Sequence, residues 1–579
     1  MKVTRIRVKN FRNLADIDVQ LGSSNVIVGE NRAGKSNLIH ALRLLFDPAL
    51  PNSDRHLRRE DFWDGLANGR DDWDPKKEGH EVTISVEMED FADDDRVSAV
   101  LADAIVKASP LTARLTYKYG PRAVPGREDE DPVYAWAIYR GTDENNLMPA
   151  ELRGYLHLSF LHALRDVESD VANWRRSPLR QLLESAAEAA TPEQLAEIAE
   201  SVEEANGRVG KLPSVKALGD DITKLMEEMV GNNHALEAEL GVASTDPQRL
   251  IRTLKIFVDG DSRRPLSSAS VGTLNVLYFA LTELGLQQRL RLLKEIAHFI
   301  LAIEEPESHL HPHLQRLIFK RLLASADDTQ SVFITTQSPH IASIAGPRNL
   351  ILLRNEGGAT RALAAAEAKL SEQEWGDVGR YLDVTRAEIV FARKVLLVEG
   401  FAEQVVIPRL SEAYGVDLDK QGITVCAIHG THFLAYLKFC RALKIPCAVI
   451  TDGDVQKDKK GAFLQAGLLR ARRFITALEE DGSPADAGIF VGDTTFEHDL
   501  LLASPKNLVS CVAALKDAAI NPRTVRDIEA WGLSEPGYDS YMGMIRRVGG
   551  KGRYANSLLS RELDLPSYIR SAIDYLVAQ

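Results

Sequence analysis

Gly29-Glu30-Asn31-Arg32-Ala33-Gly34-Lys35-Ser36 fits the phosphate-loop pattern G-x-x-x-x-G-K-[ST]. Gly29 and Gly34 let the backbone curl so that N–H groups through Asn31 and its neighbours point at one anion, and a helix N-terminus behind them adds partial positive charge. Lys35 then reaches the β- and γ-phosphates of ATP, and the Ser36 hydroxyl holds Mg²⁺. Such a loop needs a second carboxylate for its metal and a base to orient water. The apolar run His298–Ile303 ends in Glu304-Glu305-Pro306-Glu307, where Glu304 is read as the metal support and Glu305 as the water-positioning group. A third set is Glu399 with Glu403 four residues on, and Asp452-Gly453-Asp454. Adjacent strand ends of a parallel sheet put Glu399, Asp452 and Asp454 in one crevice. Crowded carboxylates repel unless a divalent cation neutralises them, and oxygen-only ligands favour Mg²⁺ or Mn²⁺ over zinc.

These groups need particular elements to hold them. Asn25-Val26-Ile27-Val28 reads as a buried strand and Asn37 to Leu45 has helical period, which is the strand–loop–helix context of a phosphate loop. Val82–Met88 and Ala113–Tyr119 alternate with period two and are expected to be antiparallel strands. Lys394–Val398 and Cys447–Ile450 are apolar strands feeding Glu399 and Asp452, and a helix opening after Gly400 puts Glu403 on the same face. Between these parts Ala and Glu dominate, with Leu179, Leu182, Leu195 and Ile198 at helical spacing. The expected organisation is an ATPase first part over 1–167, a helical insertion over 168–248, an ATPase second part over 249–385 and a second α/β unit over 386–579. The insertion reads as an antiparallel helical arm for dimerisation, against a helical lid packed on its own domain.

Hydrophobic content of 45% and charged content of 26% describe an ordinary globular protein, and the length allows several domains. A formal charge of −13 excludes a binder that holds nucleic acid by net charge alone, so any DNA contact relies on local basic patches and metal ions. Cys426, Cys440, Cys447 and Cys511 form no C-x-x-C pair, which argues against a disulfide framework or zinc knuckle and fits a reducing cytoplasm. Met1-Lys2-Val3-Thr4-Arg5-Ile6 alternates like a strand rather than a signal peptide, and no run of about 18 apolar residues suggests a membrane span.

Upstream of Glu304, Ser268-Ala269-Ser270-Val271-Gly272-Thr273 opens an apolar helix, and downstream comes Ile334-Thr335-Thr336-Gln337-Ser338-Pro339-His340. This order resembles the ABC-type ATPases of the SMC/RecF group. The resemblance implies that Ser270 and Gly272 complete the ATP site of a partner head, that Gln337 stands at the switch position usually held by histidine, and that Arg12 in Asn10-Phe11-Arg12-Asn13 lies near nucleotide. Val271, where the signature usually carries glycine, and the uncharged Gln337 imply slow hydrolysis or ATP used as a switch. His309-Leu310-His311-Pro312-His313 has alternating histidines suited to zinc, but its position implies a loop that crosses to a partner head.

Glu399 with Asp452-x-Asp454 matches the Toprim pattern, and Glu497 and Lys551 lie further on in Phe496-Glu497-His498 and Gly549-Gly550-Lys551-Gly552. An ABC-type ATPase with a helical insertion, followed by a Toprim α/β domain with these additions, resembles the OLD (overcoming lysogenisation defect) family of ATP-dependent endonucleases, a group that includes the Gabija nuclease subunit. Ala163-Leu164-Arg165-Asp166 is also family-like. The resemblance implies two-metal phosphodiester hydrolysis with Mg²⁺ or Mn²⁺. Glu399, Asp452 and Asp454 hold one metal with Glu403 as ligand or base, Glu497 helps hold the second, and Lys551 offsets charge on the phosphate. Thr431 in Gly430-Thr431-His432 stands in a small-residue loop near the metals. Lys457, Lys459, Lys460, Arg470, Arg472, Arg473, Arg546 and Arg547 are candidates for a DNA-facing basic patch, against a merely solvated face. The expected partners are DNA and further copies of the chain, with a helicase partner left open and no membrane. Two other readings stand beside this one: a RecF-like scaffold ATPase whose Toprim unit only recruits partners, and a topoisomerase-like enzyme, which needs a nucleophilic tyrosine on a separate DNA-binding domain.

Overall fold

The structure, a computed structural model, describes the chain except residues 123–132, 163–177, 231–245, 247–248, 250, 252–253, 255, 259–263, 293–295, 309, 328, 383–385, 458–462 and 533. Ala163-Leu164-Arg165-Asp166, His309, Lys459 and Lys460 therefore lie outside the described residues. The chain divides into two compact units: Met1–His162, Ala297–Glu307 and Pro312–Gln579 form the first, and Ala163–Ile296 with Ser308–His311 the second.

The first unit opens on an antiparallel sheet. β1 (Lys2–Phe11) pairs with β2 (Leu14–Gln20) and with β4 (Val82–Glu89), β4 pairs with β6 (Leu111–Arg122), and β5 (Ile105–Ala108) and β7 (Val133–Arg140) flank β6. Its alternating pattern buries Val3, Ile6, Val8, Ile84, Val86 and Tyr117 on one face, while Arg7 and Arg114 meet Glu87 at 2.7 Å. Each fully buried aliphatic side chain of this kind contributes about 1.5–3 kcal/mol of transfer free energy.

β3 (Ser24–Gly29) lies inside the next sheet. It runs parallel to β12 (Gln330–Thr336) on one side and β13 (Leu350–Glu356) on the other. The sheet continues through β11 (His298–Glu304) to β8 (Leu156–Leu161), and β14 (Ala359–Ala364) closes the other edge antiparallel to β13. Strands covered on both faces must be apolar throughout, as Val26, Ile27, Val28, Val332, Phe333 and Ile334 are. The phosphate loop and the helix Lys35–Phe46 follow β3 directly.

The carboxyl-terminal part of the same unit holds a wholly parallel sheet in the order β16 (Ile423–Ala427), β15 (Lys394–Val398), β17 (Cys447–Thr451), β20 (Ile489–Val491). A small hairpin of β18 (Val455–Lys457) and β19 (Phe463–Gln465) follows Asp454. All four cysteines are buried, and none is in a disulfide.

In the second unit the helices Pro178–Ala189, Pro192–Gly210 and Pro213–Val230 precede a short hairpin of β9 (Phe257–Val258) and β10 (Arg264–Pro265) and the long helix Val271–Leu292. Thr191 caps the second helix by accepting from the Gln194 N–H while the Gln194 side chain reaches back. Leu179 and Leu182 pack on Leu274 and Leu281. Leu212, Leu218, Leu225 and Met229 stay exposed, by 50–76%. No helix among the described residues is long and apolar enough to cross a membrane.

Gly29 marks the tightest point around β3. It has φ of 154°, and a Cβ there would stand 2.3 Å from the Leu353 carbonyl oxygen on β13. Gly29→Ala is expected to destabilise the protein by more than about 1 kcal/mol, read as a lowered Tm, because strand pairing has to open to admit the methyl group. An unchanged Tm would show that β3 and β13 have slack between them.

Candidate functional site

The phosphate loop closes with Gly34 in a left-handed conformation (φ 95°) at the N-cap of the helix Lys35–Phe46. A side chain at Gly34 would collide with Asn13 and Thr360, each 2.9 Å away. Lys35 is 6% exposed, and its Nζ donates to the carbonyls of Gly29 at 2.8 Å and Glu30 at 3.1 Å. Burial lowers its pKa, while the charges of Glu305 and Glu307 pull the other way. Asn31 and Ser36 are exposed. Arg12 donates to Asp61 at 3.0 Å and to Asn37 at 2.9 Å, and Asn37 in turn donates to Asn13 at 2.7 Å. Arg12 is thereby fixed beside the first turn of the helix that follows the loop.

Glu304 ends β11, with Oε2 3.6 Å from His162 Nδ1. Glu305 turns the chain with φ of 38°, its N–H donates to the Thr335 carbonyl at 2.9 Å, and Gln337 Nε2 donates to its carboxylate at 2.5 Å. The parallel register of β11 and β12, Glu304 opposite Thr335, makes that meeting possible. Glu307 is the member that sequence reasoning missed. Its Oε1 accepts from the Gln337 N–H at 2.7 Å and the Thr336 hydroxyl at 2.8 Å, while Oε2 has no hydrogen-bond partner. Burial raises its pKa. The signal was a third acid two residues beyond a pair already read as functional.

Ser270 and Gly272 belong to the second unit. Ser270 Oγ accepts from the Thr273 N–H at 3.2 Å at the start of the helix Val271–Leu292, and Gly272 lies in its first turn. His311 is in the same unit.

The second cluster is built where β15 and β17 end side by side. Glu399 Oε1 accepts from the Thr451 hydroxyl at 2.5 Å, the Asp452 N–H at 3.0 Å and Arg470 at 2.8 Å. Asp454, held with φ of 47°, accepts from Arg470 at 2.5 Å. Arg470 comes from the helix Ala466–Leu478 and is thus committed to the carboxylates instead of facing outward with Arg472 and Arg473, which are exposed. Asp452 Oδ1 accepts from the Phe496 N–H at 2.9 Å. Glu403 lies in the first turn of the helix Phe401–Ala413 and Glu497 in that of Phe496–Leu502, where the helix dipole favours negative charge. Thr431 is exposed in the loop after β16, whose Gly430 N–H donates to the Glu399 carbonyl at 3.2 Å.

Burial here is deep. Asp452 is 7% exposed, Glu403 5% and Glu497 1%. Burial, reinforced by the neighbouring carboxylates, pushes Asp452 up to about 8 and Glu403 up to about 7. Lys551 opens the helix Lys551–Leu558 behind Gly549 and Gly550, both at positive φ, and its Nζ lies 2.9 Å from Glu497 Oε2. That contact gives one oxygen of the buried carboxylate an ammonium partner, while Glu497 Oε1 has no hydrogen-bond partner. Burial works against the charge on Lys551, but Glu497, Asp452 and Glu403 outweigh it and raise its pKa. The buried Tyr568 hydroxyl also lacks a partner, and Asp499, Asp452, Glu403 and Glu497 add to burial in raising its pKa.

A donor set made only of carboxylates, an unpartnered oxygen on a buried glutamate and acids whose pKa values are raised by burial and by one another all fit a hard divalent cation. As the side chains stand, no three His, Cys, Asp or Glu groups among the described residues converge on one point, and Arg470 lies between Glu399 and Asp454.

A phosphate loop on a parallel sheet and a carboxylate cluster at the ends of a second parallel sheet define an ATPase joined to a Toprim domain. Residues 24–343, more than half of the chain, match the family model described as an AAA domain, putative AbiEii toxin, Type IV TA system, and residues 390–454 match the overcoming lysogenization defect protein-like TOPRIM domain. The chain belongs to that AAA-domain family and carries an OLD-like Toprim domain; its fold class is mixed α/β. Endonuclease GajA of Bacillus cereus (strain VD045) is 23% identical over 489 residues, spanning 81% of this chain and 78% of that protein. OLD nuclease of Thermus scotoductus is 26% identical over 470 residues, spanning 78% and 82%. Among solved structures, the C-terminal region of the Burkholderia pseudomallei OLD protein is 28% identical, covers 32% of this chain and 98% of its own, and gives a TM-score of 0.28.

Gly467 sits under the aspartate loop, and a Cβ there would stand 2.2 Å from the Asp452 carbonyl oxygen. Gly467→Ala is expected to cost about 1–3 kcal/mol through overpacking and to lower Tm. Unchanged melting would mean that the loop yields freely.

Proposed function

We propose that the chain is an ATP-regulated, divalent-metal-dependent DNA endonuclease or nickase acting in anti-phage defence. The observation that carries the reading is Glu497. A carboxylate 1% exposed pairs with Lys551 through one oxygen and has its other oxygen, Oε1, without a hydrogen-bond partner, beside Asp452 and Glu403. Three neighbouring buried acids hold more negative charge than Lys551 alone offsets, and a divalent cation would complete them. The names of the relatives, endonuclease and nuclease, agree with this use of the site.

Glu399, Asp452 and Asp454 would hold one Mg²⁺ or Mn²⁺, with Glu403 as further ligand or base, and Glu497 would help hold the second. When bound, such a pair supplies an activated water and stabilises the leaving oxygen of an in-line displacement. The chain's own part is to position these groups. The Thr451 hydroxyl and the Asp452 N–H orient Glu399, the Phe496 N–H orients Asp452, and Lys551 meets the charge that develops on the phosphate. In the ATPase, Lys35 would exchange the Gly29 and Glu30 carbonyls for the β- and γ-phosphates, and Ser36 and Glu304 would hold its metal. Glu305 would orient water, with Gln337 hydrogen-bonded to it. Ser270 and Gly272 would serve a partner copy's nucleotide. The exposed Leu218, Leu225 and Met229 support the insertion as a dimerisation arm. A helicase partner would be a further protein outside this assembly.

The test is supercoiled plasmid incubated with the pure protein and Mn²⁺ or Mg²⁺, with and without ATP. Nicked or linear product that disappears with chelator is expected; no product with any metal or nucleotide would favour a scaffold ATPase. Asp452→Ala is expected to reduce cleavage to background and leave ATP binding intact, and nicking retained by that variant would remove Asp452 from the site. Lys35→Ala is expected to abolish ATP binding while Mn²⁺ binding persists, measured by calorimetry.

A further inference from the structure

Arg470 has a place that its neighbours on the same helix do not share. One guanidinium nitrogen donates to Glu399 Oε1 at 2.8 Å and to the Thr451 hydroxyl, and the other donates to Asp454 Oδ2 at 2.5 Å. Its side chain is 17% exposed. A single cation therefore ties together the carboxylates that follow β15 and β17, on oxygens that a metal ion would use.

A guanidinium on these oxygens competes with a divalent cation for their lone pairs and sets a like charge beside it, since Mg²⁺ needs its ligands at about 2.0–2.1 Å. Arg470 cannot leave by losing its proton, because arginine stays charged in proteins. It leaves only by moving to another anion. A phosphodiester oxygen pair presents the same planar, two-pronged acceptor as the one that Glu399 and Asp454 offer between them.

We propose that Arg470 is a cation gate on the nuclease site. In the absence of DNA it occupies the Glu399–Asp454 side of the cluster and opposes metal capture. When DNA enters, its guanidinium transfers to a backbone phosphate and releases both carboxylates to the metal. Metal and DNA binding then favour each other, and by reciprocity each tightens the other by the same factor. The inference rests on the metal-nuclease reading above. Arg470 is a positioning residue in this scheme, acting through the ligands it releases.

The test is Mn²⁺ binding to the full chain by calorimetry, without nucleotide, with and without a short phosphorothioate DNA duplex. For the wild type, DNA is expected to tighten Mn²⁺ binding by about tenfold, the scale of one charge-assisted hydrogen bond exchanged. Arg470→Gln is expected to bind Mn²⁺ more tightly than the wild type without DNA, and to gain no further tightening with it. Arg470→Lys keeps the charge but loses the fork, and its Mn²⁺ affinity without DNA is expected to fall between the two; this variant decides the matter if the glutamine form melts at room temperature. Mn²⁺ binding that weakens or stays the same in both variants would overturn the gate and leave Arg470 as structural glue. Failure of the wild type to take up Mn²⁺ with or without DNA would instead overturn the metal-nuclease reading itself.

Discussion

Like charge confined to a small volume governs this molecule. Glu399, Glu403, Asp452, Asp454 and Glu497 come into one neighbourhood, without meeting at one point, because β15 and β17 are parallel neighbours and because Glu403 and Glu497 stand in the first turns of two helices. Two unit charges 4 Å apart repel by about 4 kcal/mol at an effective dielectric of 20, so the cluster cannot stand ionised and uncompensated. The structure answers in two ways. Arg470 and Lys551 supply positive charge, and Asp452 and Glu403 are pushed toward protonation near neutral pH. Burial of this kind contributes little to stability and is more costly than an apolar core of the same shape. That cost is what the proposed metal site would offset.

The phosphate loop shows a milder form of the same economy. The Lys35 ammonium donates to two loop carbonyls, which ties the curl of the loop to the helix that follows it. Glu307 pins the Gln337 backbone while the Gln337 side chain holds Glu305. At the edge of the loop, Glu30 forms a two-pronged pair with Arg393, the residue just before β15. The strand that ends in Glu399 thus starts against the phosphate loop. The pair is largely solvent-exposed, so its value lies in orientation more than in free energy.

Much of the fold was legible because period and burial agree. Strands covered on both faces read as apolar runs, as in the centres of β3, β11 and β17, and strands with one wet face alternate, as in β4. Glu399 and Asp452-x-Asp454 were legible for a topological reason: each ends an apolar run, and a parallel sheet sends such ends to one side. Glu497 and Lys551 were not legible from spacing and entered through the family resemblance alone, since they arrive on helices after long separations along the chain. Arg470 was read as one of a run of surface cations because a sequence does not show which member of a basic helix turns inward. Glu307 was hidden behind the stronger pair beside it.

The placement of β3 has a consequence for how the chain leaves the ribosome. Its partners β12 and β13 begin about 300 residues later, and β8 awaits β11 across the whole insertion. At a synthesis rate of roughly 5–20 residues per second, the apolar edges of β3 wait about 15–60 s for their neighbours. During that interval the nascent amino-terminal segment displays strands with open edges, while the parallel sheet that carries Glu399 is still unmade. The antiparallel sheet of β1, β2 and β4–β7 has all its partners within the first 140 residues and closes early. Ile27 of the waiting strand shares an apolar core with Val8 and Ile84 of that sheet, so the early layer offers it a surface before its own neighbours exist.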